Sequence, residues 1–118
     1  MRHFWDAAGA LDPKAREMDE GRRFSLCKPE PLGMLFLSSG LEDVQVRAIE
    51  VPAYFRDFDD YWSPFLSGQG PAPSYAMSLS EQRRAELGER IRAGLPKDSD
   101  GGIPLSARAW AIRSRSVR

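Results

Sequence analysis

One face of a predicted helix carries aromatic side chains whose spacing could build the wall of a ligand pocket. The spacings are 3, 3, 1 and 3 residues, which suits one side of an α-helix. The side chains are those of Phe55, Phe58, Tyr61, Trp62 and Phe65. A Gly- and Pro-rich segment follows at 67–75, of the kind found in lids and binding loops. Aromatic faces line small-molecule pockets and also pack in cores, so both interpretations stay open, and the two can share residues.

Three carboxylates, those of Asp57, Asp59 and Asp60, stand in the same stretch. Paired carboxylates can act as general acid and general base. Acidic residues at the start of a helix also cap it and stabilise its N-terminus without any chemical role. We favour the capping interpretation, and the sequence predicts no catalytic residue.

Two loops resemble ligand-binding motifs and lack a required residue. Gly68 and Gly70 begin a G-x-G pattern, but its sixth position is Pro73 and no predicted strand precedes the loop. The loop at Asp98 resembles the start of a calcium loop, but Ala109 stands where a bidentate Glu is needed. We therefore predict no nucleotide site and no metal site in this chain.

The single cysteine and the single histidine leave one further option. Cys27 and His3 could form a thiol–imidazole pair. A cysteine in this setting is more often a small buried apolar residue, which is the role we predict for Cys27. One cysteine cannot form an internal disulfide, which favours a reducing, cytoplasmic setting.

The length, charge and composition of the chain exclude several classes of protein. The chain has 118 residues, the size of one domain, with 17 basic and 17 acidic residues. A net charge of zero argues against nucleic acid or a membrane surface as the partner. No run of 18 apolar residues exists, and the N-terminus lacks the apolar stretch of a secretory signal.

Helices are predicted first in the N-terminal third. A short helix spans 3–11, and Pro13 opens a further helical turn that Gly21 closes. A third helix begins near Pro29 and ends at Gly40, which suits the left-handed position after a helix. Its apolar face consists of Leu32, Leu35 and Phe36.

Two strands are predicted, with a loop and a helix between them. The first spans 42–51 and is ended by Pro52; its apolar residues change face along its length, which suggests a bulge or cover on opposite sides at different points. The segment 67–75 is predicted as a loop. A helix then starts at Ser78, whose spacing to Glu81 suits a capping box. The apolar ridge of that helix consists of Leu87, Ile91 and Leu95.

The last strand is predicted at 103–112, with small apolar residues on one face by strict alternation. The sequence does not settle whether it runs parallel or antiparallel to the first strand. Two strands are too few for a comfortable independent sheet. The chain is therefore α+β if it stands alone, or part of a larger sheet.

Five blocks of this sequence resemble the C-terminal part of bacterial class I S-adenosylmethionine-dependent methyltransferases. The resemblance covers about 3–113. The blocks are FWDAAGALDP, DEGRRFSLCKPEPL, SSGLEDVQVRAIEVP, FDDYWSPFLSGQGPAPSY and ERIRAGLPKDSDGGIPLSARAWAIR.

The resemblance implies an α/β fold in which this chain closes a Rossmann-like, doubly wound sheet. It makes 41–51 the penultimate strand and 103–112 the last strand, inserted antiparallel beside it. It makes 1–118 a single or partial domain with a lid segment at about 55–77. The lid would cover the pocket of a small-molecule methyl acceptor.

Site residues and cofactor also follow from the resemblance. It implies acceptor contacts at Trp5, Phe58, Tyr61 and Trp62, which would supply shape and exclude water. It implies S-adenosylmethionine as the cofactor, yet the Gly-rich turn that binds it is not in this sequence. We therefore expect no cofactor binding and no activity by this segment alone, with the N-terminal half supplied in cis or in trans.

A second hypothesis needs no methyl transfer. The chain would then be a stand-alone α+β binding or dimerisation module that uses its aromatic stretch as a partner surface. Exposed apolar surface and an open sheet edge would favour self-association under either hypothesis.

Overall fold

The computed structural model describes residues 1–117 as a mixture of helices and two long strands. The helices are α1 (Arg2–Leu11), α2 (Glu20–Arg23), α3 (Pro29–Ser38), α4 (Phe58–Trp62), α5 (Pro71–Ser78) and α6 (Glu81–Gly94). Short 3₁₀ turns occupy Pro13–Met18 and Ser63–Leu66. The strands are β1 (Glu42–Phe55) and β2 (Ile103–Arg115), which pair as an antiparallel two-stranded sheet. The fold class is therefore α+β, and the question of strand direction is answered.

The chain divides into two compact units. The first unit comprises Met1–Arg23 and Ala53–Leu105, and the second comprises Phe24–Pro52 and the chain from Ser106 onward. Each strand runs from one unit into the other. In the part of the chain that the structure describes, every fully buried apolar side chain belongs to the first unit.

The core of the first unit forms where α1 packs against α6. The predicted ridge of α6 is confirmed, since Leu87, Ile91 and Leu95 are all buried. On α1, the buried positions include Phe4 and Ala8, one helical turn apart. An i, i+4 apolar pattern on each helix therefore supplies one side of this core.

Cross-strand contacts of the second unit fix the register of the sheet. Arg108 donates a hydrogen bond to Glu50 at 2.6 Å, and Arg113 donates one to Gln45 at 3.0 Å. Arg115 forms an ion pair with Asp43 at 2.6 Å. All three contacts agree with a single antiparallel register, and such exposed pairs each stabilise a sheet only modestly.

The covered strand residues differ in parity between the two units. In the first unit the covered strand residues are odd-numbered: Ala53, Phe55, Ile103 and Leu105. In the second unit the partly covered apolar residues of β1 are even-numbered, Val44 and Val46, whereas Ile49 and Val51 remain half exposed. The change of parity is as predicted, but Ile49 and Val51, the residues on which the prediction rested, are not covered.

The second unit has little core of its own. Helix α3 lies against β1, since a side chain at Gly33 would contact the Val46 side chain at 3.5 Å. No residue of α3 is buried. Large apolar side chains of this unit are exposed: Phe24, Leu26, Met34, Leu35, Leu37, Ile49 and Val51. Such a surface is typical of a protein that another chain segment or partner covers.

Several predictions about element ends are wrong. Pro52 does not end the first strand, because β1 continues to Phe55. In a two-stranded sheet each strand has one unpaired edge, and proline is tolerated on edge strands. Gly21 does not close the turn that starts at Pro13, since it lies inside α2 and its N–H donates to Asp19 at 2.9 Å.

The predicted loop at 67–75 is partly helical. Pro71 begins α5, where a proline at the first position needs no N–H partner. The next helix starts later than predicted, because Ser80 rather than Ser78 caps α6 by accepting from the Arg83 N–H at 3.3 Å. Ser78 instead donates to the Tyr75 carbonyl at 2.6 Å.

The second unit corrects two burial predictions. Leu35 is 43% exposed, so the predicted face of α3 is only partly covered. Cys27 is exposed rather than buried, because it lies in a stretch, 21–28, that is exposed at every residue. The stop of α3 is as predicted, with Gly40 at a φ of 83° and the Leu41 N–H donating to the Phe36 carbonyl.

Truncation of the α6 ridge tests where the stability resides. Leu87→Ala is expected to lower the free energy of unfolding by about 2–5 kcal/mol, because it opens a cavity in the one developed core. Leu37→Ala, which truncates an exposed leucine of α3, is the control and should change it by less than about 0.5 kcal/mol. Urea unfolding followed by circular dichroism measures both, and equal losses would contradict the assignment.

Candidate functional site

The four residues predicted to contact a methyl acceptor belong to one aromatic cluster in the first unit. Trp5, Phe58 and Tyr61 are buried, at 3%, 9% and 4% exposure, and Trp62 is partly buried. The structure therefore brings the predicted residues together and gives three of them a core role. Trp62 keeps an accessible side.

Phe4 is the centre of the cluster. Its ring stacks on Phe65 with centroids 4.8 Å apart and planes 7° from parallel. It meets Trp5 edge-on at 5.1 Å and Tyr75 edge-on at 6.3 Å. It also stacks on Trp62 at 6.4 Å. Aromatic pairs in these geometries each add about 0.5–1.5 kcal/mol beyond the area that they bury.

The carboxylates of the aromatic stretch hold α4 in place. Asp57 caps this helix, accepting a hydrogen bond from the Asp60 N–H at 2.8 Å. Asp60 in turn accepts from the Arg56 N–H at 3.1 Å. The capping interpretation is thus confirmed for these two residues. Their effect is to fix the direction in which α4 presents its aromatic side chains.

Two buried polar atoms of the cluster have no hydrogen-bond partner among the described residues. They are the indole Nε1 of Trp5 and the hydroxyl of Tyr61. Burial raises the pKa of the Tyr61 hydroxyl above its ordinary value. An unpaired buried donor costs about 1–3 kcal/mol. Both atoms belong to residues of the predicted site, and each could donate a hydrogen bond if a ligand or further chain reached it.

A shallow groove of about 320 Å³ opens between α4 and α6. Phe58 and Trp62 line one side, and their rings stack with centroids 5.9 Å apart and planes 17° from parallel. Gly88 of α6 is buried against the Trp62 ring, which a Cβ atom at this position would contact at 3.5 Å. The groove is therefore the place where the aromatic stretch meets solvent.

Arginines of α6 border the groove. The guanidinium of Arg92 lies 4.5 Å from the centre of the Phe58 ring, in cation–π geometry, and 3.5 Å from a Glu89 carboxylate oxygen. Arg84 donates to the carbonyls of Ala76 and Leu79 at 3.0 and 2.8 Å, which ties the end of α5 to α6. Both guanidinium groups already have partners inside the protein.

Sequence reasoning missed the contribution of α6 to this site. Arg84, Gly88 and Arg92 recur every four residues and so share one helix face beside the buried ridge. That periodicity was visible in the sequence. The pairing of this face with Trp62 was not, because it depends on how α4 and α6 pack.

Tyr75 connects the lid segment to the N-terminal helix. Its hydroxyl donates to an Asp12 carboxylate oxygen at 3.2 Å, across 63 positions of sequence. Burial, followed by this hydrogen bond, raises the pKa of Tyr75 to about 12. Because Tyr75 also meets Phe4 and Trp5, the contact anchors α5 on the aromatic cluster.

Residues 1–117 contain neither a metal-binding cluster nor a membrane-spanning helix. No group of three His, Cys, Asp or Glu side chains comes together there in a way that could hold a metal ion. Within the same residues, no helix combines the length and apolar character needed to cross a bilayer.

Comparisons with known proteins add no assignment. No protein-family model matches the chain, and no curated protein or solved structure matches it either. The methyltransferase resemblance accordingly remains a prediction that rests on the sequence blocks quoted above.

Removal of the Tyr75 hydroxyl tests the anchor of the lid segment. At pH 7, Tyr75→Phe is expected to lower the free energy of unfolding by about 1–2 kcal/mol, through loss of the hydrogen bond to Asp12. The folded-state pKa lies above that of an unfolded tyrosine, so this contribution is complete below about pH 10. It should disappear as the pH rises towards about 12.

The measurement is urea unfolding of both proteins at several alkaline pH values. The two stability curves should converge over that interval, although other tyrosines titrate in both proteins. Curves that stay parallel up to pH 12 would show that the Tyr75 hydroxyl does not make this contact.

Proposed function

We propose that this chain is the substrate-side segment of an S-adenosylmethionine-dependent methyltransferase, closing the sheet and covering the pocket of a small-molecule methyl acceptor. On this proposal the sheet is completed into a Rossmann-like one by an N-terminal half in cis or in trans. That half supplies the cofactor site. The assembled enzyme is cytoplasmic, and the segment alone is inactive.

The observation that carries the proposal is the incomplete sheet. β1 and β2 are 14 and 13 residues long, yet they pair only with each other within the described chain. Ile49 and Val51 of β1 are half exposed. Ala109 and Ala107 lie opposite them on β2, on the same face of the sheet, and are also exposed. Long strands with an apolar exposed face are typical of sheets that helices or further strands cover.

The antiparallel pairing of the two strands also supports the proposal. The sequence resemblance implies a last strand inserted antiparallel beside the penultimate one, and β1 and β2 pair in that sense. The lid segment supports it further, because α4 carries Phe58 and Trp62 to a groove. Methyl transfer to a nucleophile needs chiefly positioning and exclusion of water, which aromatic walls supply.

A stand-alone α+β binding or dimerisation module is the second candidate. The observation that favours it is the developed core of the first unit, which contains all the fully buried apolar side chains of the described chain. A unit with such a core can fold without a partner. The exposed face of the second unit would then be the surface for a partner or a second copy.

Cofactor titration tests the proposed function against the binding module and against an enzyme that is complete within these 118 residues. The 118-residue chain is titrated with S-adenosylmethionine by calorimetry, and no heat of binding is expected. A polypeptide that also contains the product of about 450 in-frame upstream bases, the length of half a domain, is expected to bind it. Tight binding by the chain alone would overturn the proposal, and failure of the longer polypeptide would favour the binding module.

A charge on the exposed strand face tests whether the longer polypeptide covers it. Ile49→Asp should change the stability of the 118-residue chain by no more than about 1 kcal/mol, since Ile49 is half exposed there. In the longer polypeptide the same change should abolish cofactor binding or solubility, because it buries an unpaired charge. Ser99→Asp, in an exposed loop, is the control. Equal, small effects of Ile49→Asp in both proteins would contradict a covered face.

A further inference from the structure

We propose that the groove between α4 and α6 binds a planar aromatic cation. The inference rests on the proposed function only for the identity of that ligand, which would then be the ring system of the methyl acceptor. The groove itself, its walls and its charges are properties of the first unit alone.

The walls of the groove suit a flat ring. Phe58 and Trp62 lie nearly parallel, and Trp62 is the member that remains partly exposed. Tryptophan is the best side-chain partner for a cation over its face. The volume of about 320 Å³ falls at the lower end of the range for small-molecule pockets. A ligand of one or two fused rings would fit this space.

The positive charges of the groove already have partners inside the protein. Arg84 donates hydrogen bonds to backbone carbonyls of α5 and of the loop after it. Arg92 lies beside Glu89 and over the Phe58 ring. An anionic ligand would therefore compete with contacts that both guanidinium groups already make.

Two carboxylates of the groove have no such partner. The carboxylates of Asp59 and Glu81 line the groove, and within residues 1–117 neither forms a side-chain hydrogen bond or an ion pair. Three carboxylates stand against two guanidinium groups along the lining, which leaves one net negative charge. The charge that an incoming ligand meets is therefore negative, and a cationic ring complements it.

The Arg92 contact provides an internal precedent for the proposed binding. A planar cation already rests 4.5 Å from the Phe58 ring at the border of this groove. A ligand of the same chemistry would use the accessible part of the Trp62 side chain in the same way. A neutral or anionic ring offers no positive charge to the Trp62 ring or to the two carboxylates.

The test uses three flat probes that share a fused two-ring system: the cation N-methylquinolinium, the neutral quinoline and the anion 2-naphthoate, at pH 7.5. Binding to the 118-residue chain is followed by chemical-shift changes in amide and indole N–H signals. The cation should bind most tightly and shift the Trp62 indole signal together with the Gly88 amide. Preferential binding of 2-naphthoate, or shifts confined to other residues, would overturn the proposal.

Paired variants assign the charge selectivity. The double variant Asp59→Asn, Glu81→Gln keeps the shape of the groove and should weaken binding of N-methylquinolinium by about three- to tenfold, the range of exposed ion pairs. Binding of quinoline should not change. Glu86→Gln, on α6 but outside the groove lining, is the control and should leave both affinities unaltered. An unchanged affinity of the double variant for the cation would refute the role of the carboxylates.

A second variant tests the aromatic wall. Trp62→Leu should abolish detectable binding of all three probes, and thermal unfolding verifies that the variant folds. If it does not fold, Ala85→Gln serves instead, because Ala85 is exposed and lines the groove, so the longer side chain would occupy that space. Binding that survives a folded variant at either position would overturn the proposal.

The outcome is independent of the cofactor titration. If N-methylquinolinium fails to bind while the longer polypeptide binds S-adenosylmethionine, the groove proposal fails and the proposed function stands. If the cation binds and no cofactor binding is found with any upstream polypeptide, the groove is the ligand site of a binding module.

Discussion

Burial of Phe4 between the lid segment and the N-terminal helix is the interaction on which the first unit depends. Phe4 is fully buried and meets four other aromatic rings, three of them from the stretch between Trp62 and Tyr75. Segments more than fifty residues apart in sequence are thereby joined in one core. The capping of α4 and the Tyr75–Asp12 hydrogen bond set the orientation of the rings that surround it.

The same packing gives the aromatic stretch a core role and places part of it beside a groove. Phe58 and Tyr61 are core residues, and Phe58 with Trp62 also borders a groove. Core and pocket wall thus share residues. The cost of this arrangement is visible at the Trp5 and Tyr61 side chains, whose buried polar atoms are unpaired among the described residues. Such atoms are expected where a ligand or further polypeptide contributes to the final packing.

Local signals in the sequence predicted the elements well and their ends less well. The ridge at Leu87 and Ile91 and the stop at Gly40 follow from helix geometry, which nearby residues determine. The continuation of β1 through Pro52 depends on pairing with a distant strand, whereas the proline that begins α5 is a local signal inside a segment predicted as a loop. The exposed state of Cys27 was unpredictable for a related reason, because burial depends on what covers a turn.

The central claim is that the first unit is a complete core and the second unit lacks cover. Hydrogen–deuterium exchange of the 118-residue chain tests it directly. Amides in the middle of α6 should exchange at least about tenfold more slowly than those in the middle of α3, because α6 contributes buried side chains and α3 contributes none. Equal, strong protection of α3 and α6 in the isolated chain would contradict the account, since it would show that the second unit is stable without further polypeptide.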